Sequence, residues 1–377
     1  MYLETNRLIL RPWQESDAQQ LYEYAKDPEV GPAAGWPVHT SVENSRQIIR
    51  EVLAVPENYA VCLKEQNLLI GSIGLKMGTD TDMTDREDEC ELGYWIGKPY
   101  WGRGFIPEAA EELLRHGFVQ LGMRRIWCGY YEGNVKSAIV QKKLGFRYHH
   151  KTEGLELPAL NEIRTGHVSC LTKEQWEENR RLRQQMEFAL ELDKEKNIFR
   201  QTSLSGHGRK ENDAEHAWHM AIMSYLLREY ANEEVDIGKV MLMCLIHDVV
   251  EIDAGDTYAY DEEGLKTQKA RENVAKERIF SLLPENQKKE FTALFDEFEE
   301  YQTPESKFAH AMDNLQPLIL NHSNGGSDWR EHGVHAEQVY QRQTKTKLGS
   351  ERLFELTDQI LKENIRKRNI ISEEGTS

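Results

Sequence analysis

Residues 245–256 read LIHDVVEIDAGD, and they place a histidine and four carboxylates within an otherwise apolar stretch. Burying such groups is costly unless each finds an opposite charge, a hydrogen bond or a metal ion. On a helix through this stretch, Glu251 lies four residues after His247 and three after Asp248, so its side chain can share a face with both. A His-Asp pair alone also suits a hydrogen-bonded surface dipeptide, so other parts of the sequence must decide.

Three further features favour a metal site. RKENDAEHAWHMAIMSYLL places His216 in the first turn of an amphipathic helix that Asn212 could cap. KFAHAMDNLQPLIL buries Asp313 on an apolar helix, and Asp256 follows Gly255 at a helix C-terminus, where the helix dipole disfavours an anion. Two imidazoles and two carboxylates arriving from three helices predict a divalent-cation site with nitrogen and oxygen ligands.

Five segments together resemble the HD-domain metal phosphohydrolases, and most of all their 5′-deoxynucleotidase-like branch. They are NIFRQT, RKENDAEH, LIHDVVEIDAGD, KARENVA and TPESKFAHAMDNLQP, and the resemblance spans about residues 180–345. It implies an all-α helical bundle and a nucleotide-like phosphate substrate.

The same resemblance implies roles for individual residues. The metal ligands would be His216, His247, Asp248 and Asp313. Glu251 would orient or deprotonate the attacking water, Asp256 would contact the sugar or protonate the leaving oxygen, and Arg200 would bind phosphate. With only two histidine ligands evident, we expect one ion, of Mn, Co, Mg, Fe or Zn, in preference to a dinuclear centre. His219 and His310 could add ligands, but hydrogen-bonded helix histidines are the favoured interpretation.

The first half of the chain has a different pattern, in which short strand-like runs alternate with helical ones. Within it, ELGYWIGKPYWGRGFIPEAAEELL joins a strand to a helix through a turn that contains Gly102 and Gly104. Such a turn before a helix N-terminus can hold a pyrophosphate on its backbone N–H groups. Alone, the two glycines also suit a tight turn without a ligand.

Three segments of this half resemble the GNAT N-acetyltransferases, particularly the branch that acetylates ribosomal-protein N-termini. They are LETNRLILRPWQESDAQQLYEYAKDPEV, GYWIGKPYWGRGFIPEAA and NVKSAIVQKKLGF. The resemblance implies an α/β fold with a mixed, splayed central sheet that binds acetyl-CoA. The expected cofactor-binding residues are Trp101, Gly102, Arg103, Gly104, Phe105, Ile106 and Asn134.

Two positions depart from the family pattern. The Gln or Arg that often opens the loop is Pro99, and the Tyr that many relatives place before the Gly-Phe pair is Gln141. Because that Tyr usually protonates the departing thiolate, Ser137 or a water must serve here. Glu91 is the candidate general base, although an exposed strand carboxylate fits the sequence equally well.

Composition limits the setting in which the chain works. The net charge is −17, from 47 basic and 64 acidic residues, which argues against a nucleic acid polymer as partner. The five cysteines are scattered without CxxC spacing and indicate buried thiols in a reducing compartment. Without a long apolar run or a signal-peptide pattern, we expect a cytoplasmic protein with no membrane association.

The sequence thus predicts two domains, an acetyltransferase over residues 1–178, including a C-terminal linker, and a phosphohydrolase over 179–372. The expected acceptor is a small-molecule or N-terminal amine, and a homodimer is possible by analogy with relatives. In one alternative, the helical domain senses a nucleotide and metal without turnover. In another, the first domain is a CoA-binding scaffold without catalysis.

Overall fold

The chain divides into two units, Met1–Arg180 and Arg181–Ser377, in a computed structural model that describes residues 1–257 and 262–372. The strands of the first unit are β1 Leu3–Glu4, β2 Leu8–Pro12, β3 Asn58–Leu63, β4 Leu68–Met77, β5 Glu89–Ile96, β6 Arg125–Tyr131, β7 Arg147–Leu157 and β8 Glu162–Thr172. Its helices are α1 Ala18–Ala25, α2 Val42–Ile48, α3 Phe105–Arg115 and α4 Val135–Lys143. Helix α5, Lys173–Leu192, runs through the point where the units divide.

The strands of the first unit form one mixed sheet in the order β1-β2-β3-β4-β5-β6-β8-β7. Helix α3 packs its buried face on one side, where Leu113 joins a core with strand residues such as Val61 and Ile73. Helix α1 covers the other side, where Leu21 packs with Ala60 and neighbouring residues. Both faces of the sheet are therefore buried, which explains the nearly continuous apolar run in β4.

Only β5 and β6 pair in parallel among these strands, and their pairing is short. It runs from Glu89 opposite Arg125 to Glu91 opposite Trp127, and both strands then continue beyond the last pair. The two strands therefore separate toward their carboxyl ends. This confirms the predicted α/β fold with a splayed central sheet.

The second unit is almost entirely helical, as predicted, apart from an antiparallel hairpin of β9 Phe199–Ser203 and β10 Lys210–Asn212. Helix α11 lies at its centre and contributes buried residues such as Phe308 and Leu315 to the main core. The helices are α6 Asp213–Leu227, α7 Ile237–Ile246, α8 Glu251–Ala254, α9 Glu262–Phe280, α10 Glu285–Glu300, α11 Pro304–Ser323, α12 Ser327–Glu331, α13 Ala336–Gly349 and α14 Glu351–Arg366.

The expected single helix through CLIHDVVEI is wrong. Helix α7 ends at Ile246 with His247 as its C-cap, and α8 begins only at Glu251. Between them the backbone hydrogen bonds join residues three apart, as in the hydrogen bond from the Glu251 N–H to the Asp248 carbonyl at 2.8 Å. These shorter bonds tighten the chain into a turn, so His247 and Asp248 lie on a helix end and not on a helix face.

All five cysteines lie in the described residues and are free thiols, four of them buried, as the sequence predicts. Among the described residues, none of the helices combines the length and apolar character needed to cross a bilayer.

Candidate active sites

Four side chains from α6, α11 and the turn after α7 meet in the second unit. His216 Nε2 lies 3.3 Å from Asp313 Oδ1 and 3.9 Å from Asp248 Oδ2. His247 Nε2 lies 3.1 Å from Asp248 Oδ2 and 4.0 Å from Asp313 Oδ1. The structure therefore brings together the four residues that the sequence groups, and their role as metal ligands stays a prediction.

Each of the two histidines directs Nε2 toward this point because its other ring nitrogen is engaged. His216 Nδ1 lies 2.9 Å from Gln316 Oε1, an acceptor, so Nδ1 carries the proton and donates it. His247 Nδ1 donates to the Cys244 carbonyl at 3.0 Å. Both rings are buried, and His247 Nε2, although 3.1 Å from Asp248 Oδ2, makes no hydrogen bond of good geometry among the described residues. A buried imidazole nitrogen of this kind fits a metal ion.

Burial and neighbouring charges set the protonation of these groups. Burial raises the pKa of Asp313 and of Asp248, but the contact of Asp313 with His216 and the charge of His247 beside Asp248 hold the two pKa values below their usual range. Burial and then the Arg200 charge lower the pKa of His216 to about 4, so it is neutral near pH 7. Burial also lowers the pKa of His247, but Asp248 outweighs it and the pKa is about 9. His247 would release a proton on binding a cation.

Glu251, Asp213 and Asp248 form an acidic side of the same site, with one oxygen of each within 4.8 Å of the others. Burial and then the Asp248 charge raise the pKa of Glu251 well above its usual value. The same two causes raise the pKa of Asp213 to about 7. A carboxyl group with a raised pKa holds a proton more strongly once it has accepted one, which suits the expected role of Glu251.

Arg200 is the cation within this group of acids. It extends from β9, and its Nη1 lies 2.7 Å from Asp248 Oδ2 and 3.4 Å from Asp213 Oδ1. Asp256 lies near enough for the Arg200 charge to lower its pKa, although burial raises that pKa more. A phosphate at this place would therefore compete with Asp248 for the guanidinium group.

Sequence reasoning missed four residues of this site. Asp213 and Gln316 each lie three residues from a predicted ligand on the same helix, and that spacing could have identified them. Glu211 accepts a hydrogen bond from Gln316 Nε2 at 2.7 Å, and Arg342 Nη2 lies 3.6 Å from Asp313 Oδ2. No spacing in the sequence relates Arg342 to the site, because it comes from α13.

The two additional histidines have partners outside the ligand group. His219 Nδ1 lies 3.1 Å from Gln316 Nε2, which donates to it. His310 Nε2 donates to the Phe298 carbonyl at 2.9 Å, and its ring stacks on Phe298. Both side chains are thus hydrogen-bonded helix histidines, which was the favoured interpretation.

The glycine-bearing turn lies in the first unit between β5 and α3. Gly102 and Gly104 adopt φ angles of 72° and 77°, in the left-handed region that favours glycine. No atom lies within 4 Å of the position that a Gly102 Cβ would take. The first N–H groups of α3 lack helix partners. This open turn before a helix N-terminus fits a pyrophosphate, the group that the expected acetyl-CoA would place there.

The candidate base Glu91 is buried and paired, unlike the exposed carboxylate that the sequence left open. Its oxygens lie 2.7 Å from Lys76 Nζ and accept a hydrogen bond of 2.8 Å from Thr81 Oγ1. It lies at the last pair of β5 and β6, where the strands begin to separate. Its place suits the expected role as general base, but the Lys76 ammonium group occupies one of its carboxylate oxygens and must move away before that oxygen can accept a proton.

Asn134 and Ser137 lie together at the start of α4. Asn134 caps the helix, because its Oδ1 accepts the Ser137 N–H at 3.2 Å. The Ser137 hydroxyl lies 2.8 Å from the hydroxyl of Tyr94, on β5, and 3.5 Å from Gln141 Nε2. Tyr94 was not identified from the sequence, although it lies within the GYWIG segment that carried the resemblance.

Comparisons with family models and curated relatives agree with this division of the chain. A model described as an acetyltransferase (GNAT) domain matches residues 7–147, and one described as an HD domain matches residues 192–353. The uncharacterized N-acetyltransferase p20 of Bacillus licheniformis is 30% identical over 151 residues, which cover 38% of this chain and 82% of that protein. The 5′-deoxynucleotidase HDDC2 of Homo sapiens is 27% identical over 111 residues, 29% of this chain. The chain spans about half the length of that protein, 53%.

Solved structures resemble each unit separately. A predicted metal-dependent phosphohydrolase from Magnetospirillum magnetotacticum MS-1 is 45% identical, with a TM-score of 0.49, and the match covers 51% of this chain and 96% of the other. An acetyltransferase of the GNAT family from Bacillus anthracis is 24% identical, with a TM-score of 0.41, and the match covers 46% of this chain and 99% of the other.

Proposed function

Because the chain belongs to the N-acetyltransferases in its first half and matches the model of an HD domain over residues 192–353, we propose that it is a bifunctional enzyme. The first unit transfers an acetyl group from acetyl-CoA to a small-molecule or N-terminal amine. The second hydrolyses a nucleotide-like phosphomonoester with one divalent metal ion. The single observation that carries the second activity is the convergence of the buried His247 Nε2 on the Asp248 and Asp313 carboxylates, at 3.1 Å and 4.0 Å.

The residues of the second unit have separate roles in the proposed hydrolysis. A bound divalent cation supplies Lewis acidity toward a phosphoryl oxygen and makes water more acidic. His216, His247, Asp248 and Asp313 would hold it. Glu251 takes the proton of the attacking water, since its raised pKa lets it keep that proton, and Arg200 binds the phosphate oxygens. Asp256 contacts the sugar or returns a proton to the leaving oxygen. The relatives named 5′-deoxynucleotidase support a nucleoside 5′-monophosphate as substrate.

Phosphate release from a panel of nucleoside monophosphates, with added Mn²⁺ or Co²⁺, tests this activity. We expect turnover by the wild type and a loss of at least about 100-fold in Asp248→Ala, because the variant removes a ligand and the partner of Arg200. Asp253→Ala is the matched control, since Asp253 belongs to the same motif but pairs with Arg278. Silence of the wild type on every substrate would instead favour a sensor without turnover.

In the first unit, the turn and the start of α3 would bind the pyrophosphate, and Glu91 would accept the amine proton directly or through water. Binding of CoA tests the site without a known acceptor. We expect Gly102→Val to weaken CoA binding by at least about 10-fold, because it fills the open turn that would approach the phosphates. Gly122→Val is the matched control, since Gly122 has the same φ of 72° and an equally open Cβ position outside the turn.

Release of free thiol across a panel of amines then tests catalysis. Tight CoA binding without thiol release on any amine would support the scaffold alternative.

We also propose a homodimer that forms through α6. Its outer face is exposed and apolar at Trp218, Ile222, Tyr225 and Leu226. An ion pair of Arg209 with Glu215 lies before this stripe, and Arg228 and Glu229 follow it, so each end of the face carries one charge of either sign. We expect Ile222→Glu to halve the mass measured by light scattering, whereas Val274→Glu, at another exposed apolar position, leaves it unchanged. An unchanged mass in Ile222→Glu would rule out this interface.

A further inference from the structure

The hydroxyl of Tyr94 lies where the first active site lacks an expected group. Many GNAT relatives have a tyrosine at the position of Gln141, which cannot act as an acid. Tyr94 reaches the same place from another element, with its Oη 2.8 Å from Ser137 Oγ. It lies on β5, three residues beyond Glu91, the last residue that pairs with β6. Ser137 lies in the first turn of α4, which follows β6. The two hydroxyls therefore meet beside the gap between the separating strands.

The hydrogen bonds around Ser137 leave its own proton available. Gln141 Nε2–H donates to Ser137 Oγ at 3.5 Å. Tyr94 Oη lies 2.8 Å from Ser137 Oγ, where either hydroxyl can donate, and 3.4 Å from the Ser137 carbonyl oxygen. A serine hydroxyl accepts up to two hydrogen bonds and donates one. With Tyr94 as the donor to Ser137 Oγ, both acceptor sites are used and the Ser137 O–H is directed elsewhere. Hydrogen bonds in series also polarise one another, so a hydroxyl that accepts from Tyr94 is a stronger donor.

We propose that Tyr94 is a positioning residue that directs the Ser137 hydroxyl as a hydrogen-bond donor to the thioester sulfur of acetyl-CoA. This inference rests on the proposed acetyltransferase activity. As the new C–N bond forms and the C–S bond breaks, the electron pair of the C–S bond moves to sulfur. Ser137 stabilises that negative charge, and sulfur finally takes the proton that the amine nitrogen loses. Neither hydroxyl loses its proton overall.

The environment of Tyr94 agrees with this assignment of roles. Burial raises its pKa far above the usual value for a tyrosine, and the neighbouring Cys128 adds to the effect. A phenol that holds its proton this strongly is a donor in a fixed hydrogen bond and not a source of protons for a thiolate, whose pKa is lower.

The pKa of the CoA thiol in the enzyme–CoA complex tests the inference without any acceptor amine. It can be followed by the ultraviolet absorbance of the thiolate as the pH is raised. We expect the wild type to lower this pKa below that of free CoA. Ser137→Ala should reduce the acid dissociation constant of the bound CoA thiol by roughly 10- to 100-fold, the range for a hydrogen bond to a charged group. Tyr94→Phe should reduce the same acid dissociation constant by roughly 3- to 10-fold.

The double variant, with Ser137→Ala and Tyr94→Phe, should shift the pKa of the CoA thiol no further than Ser137→Ala alone, because Tyr94 acts only through Ser137. CoA affinity, measured by calorimetry, should change little in either variant. Tyr22→Phe, on α1, is the matched control and should match the wild type.

A bound thiol with the wild-type pKa in Tyr94→Phe would overturn the inference while leaving the acetyltransferase proposal intact. A wild-type protein that does not bind CoA would overturn both.

Discussion

At the scale of single residues, hydrogen bonds to neighbouring groups orient the histidines of the metal site. Gln316 stands at the centre of one such group, since it accepts from His216 and donates to Glu211 and His219. Partners of this kind fix which imidazole nitrogen carries the proton and how the ring is turned. Glu211 completes the group, because its carboxylate holds the Gln316 amide in the orientation that His216 requires.

Gln316→Met should therefore weaken metal binding by about 10- to 100-fold, because His216 loses the acceptor that keeps its Nδ1 protonated. Calorimetric titration of the metal-free protein with Co²⁺ measures the effect. His219→Gln changes a residue that contacts Gln316 but lies outside the predicted ligand set, and it should bind Co²⁺ as the wild type does. Equal loss in the two variants would contradict the assignment of His219.

His310 predicts a pH dependence of stability. Burial lowers its folded-state pKa to about 4, below the usual value of 6.5. As the pH falls below 6.5, His310 binds a proton in the unfolded chain but stays neutral in the folded protein. The contribution of neutral His310 to the free energy of unfolding is therefore complete above pH 6.5 and is lost toward pH 4. This single group should reduce the free energy of unfolding by about 2 kcal/mol between pH 7 and pH 5.

Denaturant unfolding of the wild type and of His310→Gln, both with chelator so that metal release does not contribute, measures this effect. In His310→Gln, the free energy of unfolding should fall by about 2 kcal/mol less between pH 7 and pH 5 than in the wild type. Parallel pH curves for the two proteins would contradict the assignment to His310.

At the scale of elements, the first turn of α6 contributes both to the stability of the helix and to the position of the metal-site residue His216. Asn212 accepts the Glu215 N–H at 3.0 Å, and the Glu215 side chain accepts the Asn212 N–H at 3.2 Å. The predicted cap is thus confirmed, and His216 follows one residue later.

Asn212→Ala should reduce the free energy of unfolding by about 1 kcal/mol, the usual value of an N-cap, and should weaken Co²⁺ binding as well. Ser41→Ala removes the cap of α2 in the other unit, where Ser41 accepts the Asn44 N–H at 3.0 Å. Its cost in stability should be similar, with Co²⁺ affinity unchanged. Weaker Co²⁺ binding in both variants would show that the loss follows general destabilisation.

The elements also show what the sequence could and could not predict. The pattern of α6 and α11 was sufficient to predict the inward-facing positions of His216, which is buried, and of Asp313, whose side chain is 16% exposed, because periodicity reports burial directly. The break between α7 and α8 was not predictable, since LIHDVVEI has no Gly or Pro to mark it. The glycines and polar residues of HSNGGSDWREHGVH, residues 322–335, predict a solvated loop, but this segment contains α12 with a buried Trp329. Tertiary packing outweighs the glycine and polar content there.

At the scale of the whole molecule, the two proposed activities should be separable by single substitutions. Asp248→Ala should abolish phosphate release and retain CoA binding, and Gly102→Val should do the reverse, because each changes only one unit. Assays of both variants for both properties check this. A variant that loses both, while circular dichroism shows an intact fold, would indicate that the units depend on each other.

The sequence carried less information about the first site than about the second. Most side-chain ligands of divalent metals are His, Asp, Glu or Cys, so their positions are visible in a motif. A hydrogen bond between Tyr94 and Ser137 joins two common residues 43 positions apart. Only the fold, with its separating β5 and β6 strands, brings them together.

The central claim is that His216, His247, Asp248 and Asp313 hold a divalent ion. Elemental analysis after incubation with Co²⁺ and gel filtration tests it most directly. We predict about one ion per wild-type chain and per Asp253→Ala chain, and almost none in His247→Ala or Asp313→Ala. A wild type that retains no metal, or a His247→Ala protein that retains as much as the wild type, would contradict the account.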